Sequence, residues 1–208
     1  MDLELYKKDP CGMLSIPYYK AVNMTVPDGV TVVHGRDFDP KTAAGKRDEP
    51  YFRLIHRLAQ VEACECAGFS VRTAGEEDIP VIADIIARSY EDFGISEAGL
   101  FALRKRPEFD PGLWVLVCEN GSGAAAACGT AEFDVRSGEG SLEWIQTLPE
   151  YRGRGLGRLV VTELLKRLKG RAEFVTVSGR AKGAGVPERL YRSCGFTGND
   201  IWHVLTDA

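Results

Sequence analysis

The residues of this chain that could do chemistry are concentrated in one short segment rich in glycine and arginine. Residues 149–158 read PEYRGRGLGR, and three of them, Arg152, Arg154 and Arg158, carry positive charge. Glycine lets a ligand approach the backbone closely because it has no Cβ. The segment therefore predicts a site for an anion such as a phosphate group.

Two elements must position this segment. Residues 142–148 are apolar and β-prone, and residues 156–169 carry apolar side chains at helical spacing, which predicts a strand before the turn and a helix after it. The first turn of a helix has unpaired N–H groups and a partial positive charge. The predicted order of strand, turn and helix thus supports the same anion site.

Two other phosphate-binding motifs fit this segment less well. The dinucleotide fingerprint has the spacing GxGxxG and opens a βαβ unit, whereas the glycines here follow GxGxG late in the chain. A P-loop requires Gly-Lys-Ser or Gly-Lys-Thr, which does not follow.

The segment resembles the pyrophosphate loop of the GNAT family of N-acetyltransferases. That loop reads Arg or Gln, two residues, Gly, one residue, then Gly or Ala, and residues 152–157 fit it in full. A second block, ERLYRSCGF at residues 188–196, matches the family pattern of Leu-Tyr, three residues, Gly-Phe. The resemblance covers residues 69–208 and implies acetyl-CoA as the acyl donor, with no metal. The residues it assigns to the cofactor are Ile145, Gln146, Thr147, Arg152, Gly153, Arg154, Gly155, Leu156, Gly157 and Arg158.

The resemblance also implies catalytic roles. Tyr191 stands where the family keeps a general acid, and a phenol with a pKa of about 10 is protonated at neutral pH. Glu143 is the candidate base, with Glu132 and Asp134 on the neighbouring strand as alternatives. Strand alternation predicts that Glu143 shares one face with Ile145 and Thr147. The lone histidines are not expected to be catalytic; they are His34, His56 and His203.

One position departs from the family pattern. Many members have an asparagine seven residues before the tyrosine, and here that position is Ala184. The cofactor would then be held at this loop by backbone groups.

Composition limits the classes of function. The chain has 208 residues, of which 44% are hydrophobic, and a net charge of −4, which disfavours nucleic acid as a partner. No apolar run has transmembrane length and MDLELYKKDP is not a signal peptide, so we expect a cytoplasmic protein that does not enter a membrane. The six cysteines form no metal-site spacing and are expected to be reduced.

The sequence predicts two parts, an N-terminal extension at residues 1–68 packed on a GNAT domain at residues 69–208. In the extension we expect short strands at 22–26 and 30–33, a loop at 41–48 and a helix at 51–64. The second part is predicted to have the order βααβββαβαβ. The fold class is therefore α/β, a GNAT acyltransferase fold with a mixed central sheet flanked by helices and with splayed central strands.

Three functions follow from these patterns. The first is an N-acetyltransferase that moves an acetyl group from acetyl-CoA to a primary amine by direct attack in a ternary complex. The second is a non-catalytic acyl-CoA sensor or interaction module, and the third is a site for another phosphorylated ligand such as a nucleotide. The acceptor could be a small-molecule or a peptide amine, and the family also makes a homodimer possible. An apolar wall for the acceptor could come from Tyr18, Tyr19, Tyr51 and Phe52.

Overall fold

The computed structural model describes residues 2–13, 26, 28–41, 43–89, 94–182 and 187–207. In this part of the chain the helices are α1 (Leu3–Lys8), α2 (Pro10–Met13), α3 (Ile79–Ser89), α4 (Glu97–Leu103), α5 (Leu156–Leu168) and α6 (Glu188–Ser193). The strands are β1 (Val30–His34), β2 (Lys46–His56), β3 (Phe69–Thr73), β4 (Phe109–Glu119), β5 (Ala125–Asp134), β6 (Glu139–Thr147), β7 (Phe174–Arg180) and β8 (Thr197–Asp207).

The chain divides into two compact units. One unit is Arg57–Val175, and the other combines Met1–His56 with Thr176–Ala208, so the division falls within β7. The predicted boundary between residues 68 and 69 stays a prediction.

In the unit Arg57–Val175, the strands β3, β4, β5 and β6 pair in that order, each antiparallel to the next. One face of these strands packs on α5. The two elements are so close at Gly129 of β5 that a Cβ there would overlap Val160 of the helix. On the other face, Trp114 and Cys128 join the apolar side of α3 in a buried cluster. This arrangement fixes β6 and α5 on either side of the glycine-rich turn.

Helix α3 follows from its sequence. Ile79, Ile82 and Ile86 recur at spacings of three and four residues, and all three are fully buried. The apolar spacing predicts a helix over residues 78–93, of which residues 90–93 lie outside the described residues. The sequence predicts Ser96 as the N-cap of a second helix, and at the start of α4 the Ser96 hydroxyl accepts a hydrogen bond from the Gly99 N–H at 3.1 Å.

In the other unit, β8 lies between β1 and β2 and is antiparallel to both, and β7 lies on the far side of β2. The short helices α1 and α2 pack on these strands through buried polar contacts. The Trp202 indole N–H donates to the Cys11 carbonyl at 2.8 Å, and Arg53 Nε donates to the Pro10 carbonyl at 3.2 Å. Two strands that precede residue 57 thus pair with the last strand of the chain.

The predicted helix at residues 51–64 is wrong. Residues 46–56 form β2, and no helix is present in residues 57–64. Phe52, Leu54 and His56 are all buried at alternate positions, as in a strand, while pairing with β8 satisfies the backbone. Local apolar spacing in this short segment was compatible with both structures.

Other boundaries also shifted. The strand β2 begins inside the predicted loop at residues 41–48. The apolar patterns predict strands from residues 113 and 201, whereas β4 and β8 each begin four residues earlier, at Phe109 and Thr197. The predicted strand at residues 22–26 lies, except for Val26, outside the described residues. The α/β fold class with helices flanking the sheet is confirmed, whereas the splaying of the central strands stays a prediction.

Candidate active site

The glycine-rich turn begins directly after β6 with a single tight turn. The backbone N–H of Tyr151 donates to the Leu148 carbonyl at 2.9 Å, and that of Arg152 donates to the Pro149 carbonyl at 3.2 Å. Pro149 has no N–H to continue strand pairing, so it ends β6. The Tyr151 ring packs edge-on against Phe69 of β3, with centroids 5.9 Å apart, which anchors the turn.

Two glycines give this turn its shape. Gly153 and Gly155 have φ angles of +77° and +82°, in the left-handed region that favours glycine. Gly155 is the N-cap of α5, so the helix starts without a side chain that accepts hydrogen bonds from its first turn. A Cβ at Gly153 would meet nothing within 4 Å. The turn therefore has the open backbone and the uncapped helix start that a pyrophosphate group fits.

The three arginines of the turn all have partners within the protein. Arg152 donates from Nε to the Thr147 carbonyl at 3.3 Å and from Nη2 to the Ser89 carbonyl at 3.1 Å. It thus ties the ends of β6 and α3 together. The Arg154 guanidinium lies over the Tyr151 ring, 5.1 Å from its centroid.

Arg158, in the first turn of α5, forms an ion pair with a residue outside the predicted site. Its Nη2 lies 2.7 Å from Oε2 of Glu62. No local pattern could indicate this contact, because the two residues are far apart in the chain. Arg158 is held at the helix N-terminus by a carboxylate of the protein itself.

The strand residues assigned to the cofactor pair with β5. Ile145 lies opposite Gly129, Gln146 opposite Cys128 and Thr147 opposite Ala127. All three of the β6 residues are half-buried. The Ile145 Cδ1 lies 3.3 Å from where a Gly129 Cβ would be, so this side chain faces α5.

The predicted alternation along β6 is interrupted. Ala131 of β5 pairs with Leu142, and Gly129 pairs with Ile145, so β6 has one residue more than β5 between these pairs. The N–H of Trp144 donates to the Thr130 hydroxyl at 3.3 Å within this bulge. Glu143 consequently faces away from α5 whereas Ile145 faces it, and the predicted shared face of these two residues is wrong.

Glu143 has a defined position on its face. The Ser141 hydroxyl donates to Oε1 of Glu143 at 2.8 Å, and Ser141 lies opposite Glu132 of β5. Sequence reasoning missed Ser141, although two residues of separation in a strand could have indicated a shared face. Glu143 is half-buried and hydrogen-bonded, a suitable state for a carboxylate that accepts a proton.

The alternative bases have other contacts. Glu132 forms an ion pair with Arg106 at 3.2 Å and is buried. Asp134 accepts hydrogen bonds from the Arg136 N–H and the Ser137 hydroxyl, both at 2.9 Å, and so shapes the turn between β5 and β6. Which of the three carboxylates is the base stays a prediction.

Tyr191 lies in the other unit, on α6. Its ring is buried, tilted at 6.1 Å from Phe52 and edge-on at 5.8 Å from Phe196. Gly195 ends the helix with a φ of +92°, and the Phe196 N–H then donates to the Tyr191 carbonyl at 3.2 Å. In the second sequence block, the three residues between Tyr191 and Gly195 complete the helix. The chain then turns at Gly195 and brings Phe196 back against Tyr191.

Ala184, where the family pattern has an asparagine, lies outside the described residues.

The histidines have structural contacts: His34 bonds to Asp200 at 3.0 Å and His203 to Asp48 at 2.9 Å. His56 is buried beside Phe196, and this burial lowers the pKa of the imidazole.

Metal-ligand clusters and long apolar helices are absent from the part of the chain that the structure describes. It contains no group of three or more His, Cys, Asp or Glu side chains arranged to hold a metal ion. None of its helices is both long and apolar enough to cross a bilayer.

Residues 79–196 match the model of the acetyltransferase (GNAT) family. This match covers more than half of the chain, and the chain belongs to the GNAT family of acetyltransferases, which transfer acyl groups. No curated protein matches the sequence.

Solved structures show the same fold. A GCN5-related N-acetyltransferase from Sphaerobacter thermophilus aligns with a TM-score of 0.68 and 20% identity over 80% of this chain and 54% of its own. One from Kribbella flavida aligns at 0.56 and 20% identity over 86% and 60% of the two chains. The ribosomal-protein-S18-alanine N-acetyltransferase of Escherichia coli aligns at 0.52 and 24% identity over 66% and 91%. The chain thus spans about half the length of the Sphaerobacter protein.

Proposed function

We propose that this protein transfers an acetyl group from acetyl-CoA to a primary amine by direct attack in a ternary complex. The observation that carries the proposal is the uncapped start of α5 behind two glycines in the left-handed region. Such a helix start binds the diphosphate of a nucleotide-like group through backbone N–H groups. Coenzyme A has that group, and its thioester supplies the acetyl carbon.

The donor would be held by residues 152–158 and by the backbone of Ile145, Gln146 and Thr147. An extended ligand arm can pair with a strand through main-chain hydrogen bonds. A backbone N–H of this strand would donate to the thioester oxygen as charge develops on it.

Two side chains would move protons. Glu143 would accept a proton from the amine, directly or through water, so that the neutral nitrogen can attack. As the C–N bond forms, the C–S bond breaks, and the sulfur takes a proton from the Tyr191 hydroxyl. The new amide nitrogen then loses a proton, which returns through water to the Tyr191 oxygen. The products are an acetamide and the free thiol of coenzyme A.

The acceptor is proposed only as a class, a small-molecule or peptide primary amine. The alanine acceptor named for the Escherichia coli structure is an example of a protein amine, and we include N-terminal peptides in the screen for that reason. The cytoplasmic location and the homodimer stay predictions.

The first experiment is thermal unfolding with acetyl-CoA and, as a control, with ATP. A ligand at about one hundred times its Kd stabilises the folded state by about 2.7 kcal/mol. A rise in Tm with acetyl-CoA alone supports the donor and leads to an amine screen that detects the released thiol. A rise of equal size with ATP would instead favour a general nucleotide site, and binding without turnover of any amine would favour the acyl-CoA sensor.

A further inference from the structure

The segment between β2 and β3, residues 57–68, lies against the glycine-rich turn. It has no helix or strand, and most of its residues are exposed. Glu62 contacts Arg158 at 2.7 Å, and the Cys66 Sγ lies 3.4 Å from where a Gly155 Cβ would be. We call residues 57–68 the connecting segment.

Both ends of the connecting segment are fixed. At its start, Leu58 is buried and has a φ of +59°, an uncommon backbone conformation for a leucine. At its end, the Asn120 N–H donates to the Gly68 carbonyl at 2.8 Å, and the Phe69 N–H donates to the Cys66 carbonyl at 3.1 Å. These contacts fix the two ends of the connecting segment, and the ion pair with Arg158 places Glu62 at the start of α5.

The Glu62 carboxylate has the chemistry of the group that the turn is proposed to bind. It is an oxyanion in contact with a guanidinium in the first turn of α5, where the helix favours negative charge. The side chains of Arg158 and Glu62 are 41% and 77% exposed, respectively. An ion pair this exposed contributes little to stability, so a ligand can displace it.

Glu62 contacts the Nη2 end of the Arg158 guanidinium. The Nε of the same side chain is buried and makes no hydrogen bond to the part of the chain that the structure describes. A phosphate at the start of α5 would therefore approach the Nη2 end that Glu62 contacts. Glu62 and a phosphate would therefore compete for the same guanidinium and repel each other.

We propose that Glu62 is an affinity-determining residue of the donor site, where its carboxylate competes with the donor's phosphate groups for Arg158. This inference rests on the proposed function. It assigns a role in cofactor binding to a residue that precedes the segment matched by the family model, residues 79–196. Loss of the carboxylate strengthens donor binding.

The test is calorimetric titration of the full-length wild type and Glu62→Gln with acetyl-CoA, inorganic pyrophosphate and S-acetylpantetheine, which lacks phosphate. We expect Glu62→Gln to lower the Kd of acetyl-CoA and of pyrophosphate by about two- to five-fold, the size expected for one exposed ion pair. S-acetylpantetheine should bind both proteins equally. Added salt should reduce the difference, because it screens exposed charges.

Two further variants complete the test. Glu65→Gln removes an exposed carboxylate from the same segment and should have a smaller effect than Glu62→Gln. In an Arg158→Gln background, Glu62→Gln should no longer strengthen binding.

Unchanged or weaker binding of acetyl-CoA and pyrophosphate to Glu62→Gln would overturn the inference and leave the proposed function standing. If pyrophosphate bound more tightly to Glu62→Gln but acetyl-CoA bound to neither protein, acetyl-CoA would be excluded as the donor. The competition between Glu62 and phosphate groups for Arg158 would still be supported. Absence of binding by both anions would overturn both.

Discussion

Ser141 donates a hydrogen bond from its hydroxyl to the Glu143 carboxylate at 2.8 Å, two residues along β6. Both side chains lie on the face of the strand opposite to that of Ile145, because β6 carries one extra residue between Leu142 and Ile145. The hydrogen bond restrains the carboxylate in one orientation. A restrained carboxylate in a half-buried position is suited to accept a proton from a bound amine.

Glu143→Gln should lower kcat by about 10²- to 10⁴-fold while leaving the KM of acetyl-CoA almost unchanged. The amide retains the shape of the side chain and accepts the Ser141 hydrogen bond, but it cannot take up a proton. The measurement is kcat across the pH range with an amine that the screen identifies. Glu97→Gln, at an exposed site in the first turn of α4, is the control. Full activity of Glu143→Gln at every pH would exclude Glu143 as the base.

Ser141→Ala should lower kcat by a smaller factor than Glu143→Gln, because it frees the carboxylate without removing it. The change should appear in kcat rather than in the donor KM. A loss of kcat that is accompanied by a clear loss in the free energy of unfolding would instead indicate a packing role for Ser141.

Tyr191→Phe should lower kcat while changing stability far less than Tyr191→Ala does. The substitution keeps the ring contacts with Phe52 and Phe196 and removes the hydroxyl, which is the proposed proton donor. Tyr191→Ala should also unfold more easily, by about 3–5 kcal/mol, because it empties a buried aromatic position. Urea denaturation and steady-state kinetics on both variants separate the two effects. A Phe variant with wild-type kcat would leave Tyr191 with a packing role alone.

Gly153→Ala should raise the Kd of acetyl-CoA more than Gly170→Ala does. Both glycines have φ angles near +80°, at +77° and +80°, and a Cβ at either would meet nothing within 4 Å. The cost of placing an alanine in the left-handed region, about 1–2 kcal/mol, is therefore similar at the two sites. Only Gly153 faces the proposed phosphate. Titration calorimetry that finds equal affinities in the two variants would contradict the proposed donor position.

His56 should make the protein less stable as the pH falls from 7.5 to 5.5. Burial lowers the pKa of His56 in the folded state, whereas an unfolded histidine titrates near its ordinary pKa of about 6.5. Below that pH the unfolded state binds the proton more readily, so protonation favours unfolding. Urea denaturation at several pH values should show a weaker dependence for His56→Gln. If the free energy of unfolding changed with pH equally in the wild type and in His56→Gln, His56 would not be the source of the pH dependence.

The candidate site could be predicted from the sequence where its chemistry is local. The glycines at 153 and 155 set the turn through their own backbone angles, and the block at residues 188–196 sets a helix end that packs Phe196 on Tyr191. The other features of the site depend on contacts between residues that are far apart in the chain. The partner of Arg158 is Glu62, and the orientation of Glu143 depends on how β5 pairs with β6.

The sequence by itself determined the elements whose pattern is strong over many residues. Helices α3 and α5 follow from their apolar periodicity, and the turn between β6 and α5 follows from its glycines. Only the tertiary structure decided that residues 46–56 form a strand, because β8 supplies the backbone partners for β2. It also decided that β6 has a bulge and that a carboxylate from the connecting segment lies on Arg158. These features depend on contacts between distant residues, which local spacing does not specify.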